Sequence, residues 1–162
     1  MFFVTGFKGA VLAAACVFLA GVAAAEELVV SFLSESGARQ ERAFSLDELK
    51  AFEQFEFVTT NNFVDGPVSF RGPRVRDVLE EAGAPLRGAA LLTAANDYSV
   101  QVDLAEFSDY GVIFALEADG KALSRRDKGP IWLMYPIDDH ETLQVPATNS
   151  RLIWQLVRLD VE

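Results

Sequence analysis

The chain has 162 residues, with 14 Lys and Arg against 24 Asp and Glu, a formal net charge of −10 at neutral pH, and one cysteine, Cys16. A strongly acidic chain repels the phosphate backbones of DNA and RNA, which excludes nucleic acid as a principal partner. The length is suited to one domain that can bury a substantial core.

Residues 1–25 have the pattern of a secretory signal peptide. Lys8 precedes an apolar run over residues 9–20, and small residues end the segment at Ala23-Ala24-Ala25, which predicts cleavage before Glu26. A membrane anchor is one alternative, but the apolar run is shorter than the roughly 20 residues that a spanning helix needs. A lipoprotein site at Cys16 is another, but Ala13 occupies the position where such a site has leucine.

The sequence therefore predicts a periplasmic protein whose mature part, residues 26–162, is a single domain with no membrane insertion of its own. Loss of Lys8 with the leader makes the mature chain still more acidic, and loss of Cys16 removes its only thiol. The mature chain would then contain no disulfide, thiol nucleophile or thiolate metal ligand.

Short strands and helices alternate along the rest of the chain. Strands are predicted over residues 28–33, 55–60, 68–71, 90–95, 98–102, 112–116, 121–123, 131–135 and 155–161, from their apolar or alternating composition. Ser45 and Glu48 form a capping box that predicts a helix over residues 46–52. Pro73 and Gly83 bracket an amphipathic helix, and residues 104–110 form a third. Strands outnumber helices, so the sequence predicts an α+β domain with a mixed β-sheet or barrel-like core.

The sequence contains few residues that could form a catalytic site. His140 is the only histidine, and it lies in a polar loop where a solvated side chain is the simpler interpretation than membership of a Ser-His-Asp triad. The neighbouring carboxylates Asp138, Asp139 and Glu141 suit at most a weakly held hard cation.

Polar and aromatic residues instead gather in three clusters at predicted strand ends, where functional loops are common. The clusters are Thr59, Thr60, Asn61, Asn62 and Phe63; Asn96, Asp97 and Tyr98; and Arg125, Arg126, Asp127, Lys128, Gly129 and Pro130. Each cluster alone is also compatible with ordinary turn or surface chemistry.

The order of several motifs resembles the sulfite-oxidase-like, molybdopterin-binding fold, from about residue 57 to residue 161. The motifs are Phe70-Arg71-Gly72-Pro73, Asn96-Asp97-Tyr98, Phe114-Ala115-Leu116 with Asp119-Gly120-Lys121, Lys128-Gly129-Pro130 with Tyr135-Pro136, and Trp154-Gln155-Leu156. In enzymes of that fold a cysteine before the first motif ligates molybdenum. Thr59-Thr60 is the position here that looks equivalent, and a hydroxyl does not replace a soft thiolate.

The chain is also similar to a small exported subgroup of this fold. That resemblance implies a noncatalytic periplasmic protein that binds a free, reduced pterin and regulates a membrane receptor controlling cyclic-di-GMP. A molybdopterin-dependent oxidoreductase, or a fragment of one, is the alternative function. A plain interaction module without a small ligand is a third possibility.

A pterin is a flat ring with hydrogen-bond donors and acceptors on its edges. The resemblance therefore implies that polar residues of the clusters bond to the ring edges and aromatic residues stack on its faces. Asp97 would accept from the ring's donors, and Phe63, Tyr98 or Tyr135 would stack on its face. Amide and hydroxyl contacts are expected from residues that include Thr59, Thr60, Asn61, Asn62 and Asn96. Arg125 and Lys128 are interpreted as a solvated or rim pair, and Trp132 and Trp154 as core residues.

Overall fold

The computed structural model of the protein describes residues 27–162. The predicted signal peptide over residues 1–25, including Cys16, lies outside the described residues. None of the helices in residues 27–162 is both long and apolar enough to cross a bilayer.

Residues 27–162 contain eleven strands, which form three sheets. In chain order the strands are β1 (Glu27–Leu33), β2 (Arg39–Ser45), β3 (Gln54–Thr59), β4 (Val68–Pro73), β5 (Ala89–Ala94), β6 (Ser99–Asp103), β7 (Ile113–Ala115), β8 (Glu117–Ala118), β9 (Lys121–Ala122), β10 (Trp132–Met134) and β11 (Leu156–Val161). The sheets have the orders β2-β1-β11-β5-β6, β3-β4-β8-β9 and β10-β7. Only the β1–β11 pair is parallel, with Val30 opposite Leu159.

In the described part of the chain, four short α-helices connect the sheets: α1 (Leu46–Ala51), α2 (Val75–Ala82), α3 (Ala105–Asp109) and α4 (Pro146–Arg151). The capping box of Ser45 and Glu48 starts α1 as predicted. Gly83 ends α2 with φ +75°, a conformation that glycine adopts at little cost. Single 3-10 turns occupy Arg125–Asp127, Ile137–Asp139 and Glu141–Leu143.

The core is one cluster of buried apolar side chains contributed by all three sheets. Phe70 on β4 packs edge-on against Trp132 on β10, with ring centroids 5.3 Å apart, and both side chains are buried. Gly72 allows β4 to approach β7 closely, because a Cβ there would overlap the carbonyl oxygen of Phe114 and come within 3.0 Å of the Ala115 Cα. The Phe-Arg-Gly-Pro segment is therefore a packing motif.

The predicted α+β class with a mixed sheet core is confirmed, and three local details differ. Pro73 ends β4 opposite Gln54 instead of starting α2, because Arg74 forms an isolated bridge to Ile113 before the helix begins at Val75. The strand β2 and the helix α4 were not predicted.

Candidate functional site

Two adjoining cavities lie where the loop after β3, the β5–β6 turn and α4 meet. The first, here the aromatic cavity, measures about 270 Å³ and is lined by Phe63, Ala94, Asn96, Tyr98, Asn149, Ser150, Leu152, Ile153 and Trp154. The second, here the outer groove, measures about 410 Å³ and is lined by Thr60, Asn61, Asn62, Ile137, Asp138, Leu143, Gln144, Val145, Pro146 and Asn149. Asn149 is common to both.

Aromatic rings form much of the first cavity's wall. Phe63 meets Trp154 edge-on, with ring centroids 5.0 Å apart, and Trp154 in turn meets Trp132 at 6.4 Å. Trp132 is buried, as predicted for a core residue. Trp154 is half-buried: it packs against the core and bridges to Trp132, and it also lines the aromatic cavity.

Hydrogen bonds hold the amide side chains of this region in fixed orientations. The Asn96 Oδ1 accepts from the Tyr98 backbone N–H at 3.2 Å, and the Asn149 Oδ1 accepts from the Asn62 N–H at 2.9 Å. The Tyr98 hydroxyl donates to the Ser150 carbonyl at 3.0 Å and so links the β5–β6 turn to α4. Loop, turn and helix are therefore tied together around the cavity.

A partly buried ion pair anchors the end of α4. The Arg151 Nη1 lies 2.8 and 2.9 Å from the two Glu106 carboxylate oxygens, and the Tyr135 hydroxyl donates to the same carboxylate at 3.0 Å. Burial, followed by the nearby Glu106 charge, raises the pKa of Tyr135 well above its usual range, so this phenol remains a donor. Tyr135 is fully buried and lines neither cavity, so it offers no stacking face there.

Asp138 forms hydrogen bonds with both threonines at the end of β3. Thr59 is fully buried, and its hydroxyl accepts from the Asp138 N–H at 3.2 Å. The Asp138 carboxylate accepts from the Thr60 N–H at 2.7 Å and from the Thr60 hydroxyl at 2.8 Å. The first cluster is thus divided, since Phe63 faces the aromatic cavity and residues 60–62 face the outer groove.

Besides Thr59 and Tyr135, three more predicted ligand contacts, Asp97, Arg125 and Lys128, lie outside both cavity linings. Asp97 is exposed at the β5–β6 turn with φ +65°, so the turn directs Asn96 and Tyr98, but not Asp97, toward the cavity. The Lys128 Nζ lies over the Trp132 ring, 5.3 Å from its centroid, and the Arg125 carbonyl accepts from the Gln155 side chain at 2.8 Å.

His140 packs against a neighbouring aromatic ring. His140 meets Tyr110 edge-on, with ring centroids 5.1 Å apart. Within residues 27–162 no group of three or more His, Cys, Asp or Glu side chains is placed to hold a metal ion, which includes the carboxylates of residues 138–141.

Comparison with protein families identifies the family of this chain. The model of the oxidoreductase molybdopterin binding domain matches residues 30–137. The chain belongs to this family. The matched span contains the loop after β3 and the β5–β6 turn of this molybdopterin-binding-type domain, whereas α4 and Trp154 follow it in the chain.

A solved structure supports the same fold. The domain is similar to the sulfane dehydrogenase SoxCD from Paracoccus pantotrophus, with a TM-score of 0.64 and 17% sequence identity over 83% of this chain. The match covers 37% of the SoxCD chain, so this chain spans little more than a third of that enzyme's length. No curated protein sequence shows significant similarity to this chain.

The family implies a molybdopterin cofactor. The residues of this chain suit the pterin ring of that cofactor but not its molybdenum centre. The thiolate position expected from the family likeness has the Thr59 and Thr60 hydroxyls, both bonded to Asp138. Hard hydroxyl oxygens are poor ligands for a metal that soft sulfur holds, so these residues do not fit a thiolate-ligated molybdenum centre. The aromatic cavity, with its amides, does fit a flat heterocyclic ring.

Proposed function

We propose that this domain binds a free pterin without catalysing a reaction on it. The observation that carries the proposal is a cavity lined by aromatic rings and side-chain amides. At the neighbouring end of β3, the threonine hydroxyls are hydrogen-bonded to Asp138. Within residues 27–162 the cavity offers aromatic and amide groups that suit a ring, whereas the threonines at the strand end offer no sulfur ligand for a metal.

The cavity suits an unphosphorylated ring. Its volume of about 270 Å³ lies near the lower end of small-molecule pockets, about 300–1,000 Å³, which favours a bicyclic ring over a larger nucleotide derivative. None of the described residues in its lining carries a formal charge, so the phosphate of a molybdopterin would have no cation within the wall. Trp154 and Phe63 supply ring contacts, and Asn96 and Asn149 supply polar ones.

We further propose that the domain works in the periplasm and passes its ligand state to the extracytoplasmic part of a membrane receptor, with cyclic-di-GMP as the output. The leader-like residues 1–25 and the likeness to exported pterin-binding regulators support this role. Fractionation of cells that make the full chain tests the location, and capture of the receptor segment with and without pterin tests the coupling. Purely cytoplasmic protein, or capture that ignores the pterin, would contradict the respective part.

The binding proposal is tested by purifying the full chain from an exporting host and analysing it by mass spectrometry and elemental analysis. We expect a pterin to co-purify, or to bind on addition to the stripped protein, with molybdenum far below one atom per chain. Reduced and oxidised pterins should be titrated separately under anaerobic conditions, since the family likeness implies the reduced form. Absence of any pterin binding overturns the proposal.

Family membership favours one other function, that of a molybdopterin-dependent oxidoreductase or part of one. The same elemental analysis separates the two functions, because an enzyme of that kind requires stoichiometric molybdenum. A molybdenum-loaded protein that oxidises a substrate would establish the enzyme and refute the noncatalytic role.

A further inference from the structure

We infer that Asn96 and Asn149 determine which heterocycle the aromatic cavity accepts, by selecting a ring that presents hydrogen-bond acceptors, such as a 4-oxo ring, over its 4-amino counterpart. This inference rests on the proposed binding function and specifies the chemical class of the ligand. It follows from the orientation of the two amide groups.

The orientation of each amide is fixed by a partner that can only donate. The Tyr98 backbone N–H points at the Asn96 amide group, and the Asn62 backbone N–H points at the Asn149 amide group. Because a backbone N–H can only donate, the amide atom that it meets must be the carbonyl oxygen. The other end is therefore the NH₂ group in both residues. Among residues 27–162 neither NH₂ group has a protein hydrogen-bond partner, and both residues line the cavity, so each amide has donors available to a ligand there.

The elements that carry these amides are themselves held in place. The Tyr98 hydroxyl bonds the turn to the Ser150 carbonyl, and the pair of Arg151 and Glu106 anchors the last turn of α4. Flipping either amide to present oxygen would set an NH₂ group against a backbone N–H and lose a hydrogen bond. The donors are therefore a built-in feature of the cavity, and a ligand has to match them.

In an oxidised or 7,8-dihydro 4-oxo pterin, O4 and N5 lie on one edge and both atoms accept hydrogen bonds. Replacing O4 with an amino group changes one acceptor into a donor that faces another donor. Sites that hydrogen-bond a substrate group discriminate strongly against analogues that leave the site's own polar groups unpaired. Because Asn96 is exposed and Asn149 half-buried, water relieves part of that mismatch, and we expect a preference of at least about tenfold.

The test measures the affinities of the full chain for 6-hydroxymethylpterin and for 2,4-diamino-6-hydroxymethylpteridine by calorimetric titration. The unmodified protein should bind the 4-oxo ligand at least about tenfold more tightly. Asn149→Asp keeps an oxygen for the Asn62 N–H and replaces the donor with an acceptor, so it should reduce or reverse the preference. Asn96→Asp applies the same exchange at the turn and provides a second variant.

Gln40→Glu is the matched control, because it makes the same exchange of an amide for a carboxylate at an exposed position of β2 that lines neither cavity. It should keep the preference for the 4-oxo ligand. Equal affinities in the unmodified protein, or an undiminished preference in both cavity variants, would overturn the inference while leaving pterin binding intact. Failure of both ligands, and also of the 7,8-dihydro form of 6-hydroxymethylpterin, to bind would instead refute the proposed function and the inference with it.

Discussion

Removal of the Trp154 ring is the most direct perturbation of the proposed ligand site. Trp154 is half-buried and lines the aromatic cavity, so Trp154→Ala removes a wall against which a flat ring would pack. Stacking of a base on an aromatic side chain contributes about 1–3 kcal/mol. That range corresponds to an expected loss of pterin affinity of about fivefold to 150-fold, and Trp154→Phe should lie between the two proteins.

The same substitution also weakens the fold, and the assay has to separate the two effects. Trp154 makes edge contacts with Phe63 and Trp132, and two aromatic pairs at about 0.5–1.5 kcal/mol each give a stability loss of about 1–3 kcal/mol. Ligand fluorescence should therefore be titrated at a temperature where circular dichroism shows the variant folded.

Phe55→Ala provides the control for that assay, because Phe55 lies on β3, packs under the Arg74 guanidinium at 3.7 Å and lines neither cavity. It should lower stability without lowering affinity. If Trp154→Ala binds pterin within twofold of the unmodified protein, the aromatic cavity is not the ligand site.

Three further predictions concern the fold around the site. Gly72→Ala should destabilise the domain by about 3 kcal/mol or more in urea unfolding, because the added methyl group overlaps the backbone of β7; a loss below about 1 kcal/mol would refute this close approach. The pKa of Glu48 is lowered to about 2, first by the Ser45 backbone N–H, so Glu48→Gln should lose stability above about pH 4.5 and match the unmodified protein as the pH falls toward 2; a difference independent of pH would contradict this. Glu106→Ala should cost about 1–3 kcal/mol by leaving the buried Tyr135 hydroxyl unpaired, and an unchanged unfolding midpoint would refute that role.

Local signals in the sequence predicted most elements of the fold. The capping box of Ser45 and Glu48 and the left-handed Gly83 mark helix ends through contacts within a few residues, so they can be recognised without tertiary information. The strand β2 was missed because it is an edge strand whose first four residues are exposed and polar, which removes the apolar alternation. Its pairing with β1 specifies it instead.

The candidate site was only partly predictable for a similar reason. Strand-end position directed attention to Phe63, Asn96 and Tyr98, and the structure places these three residues at one cavity. Asn149 and Trp154 were not identified as ligand contacts, because α4 is short and their role depends on a backbone N–H and a ring supplied from the loop after β3. The positions of Asp97 and Tyr135 depend on turn geometry and burial that residue type does not reveal.

The place of β11 in its sheet has a consequence for how this chain reaches its native state. The strand β11 is distant from β1 in the sequence but lies between β1 and β5, so β1 and β2 can form a hairpin early but cannot join the rest of the sheet until β11 is inserted. Such distant pairing delays folding relative to chain elongation. A nascent chain stalled before Leu156 should therefore remain protease-sensitive, and a chain extended beyond Val161 should become resistant.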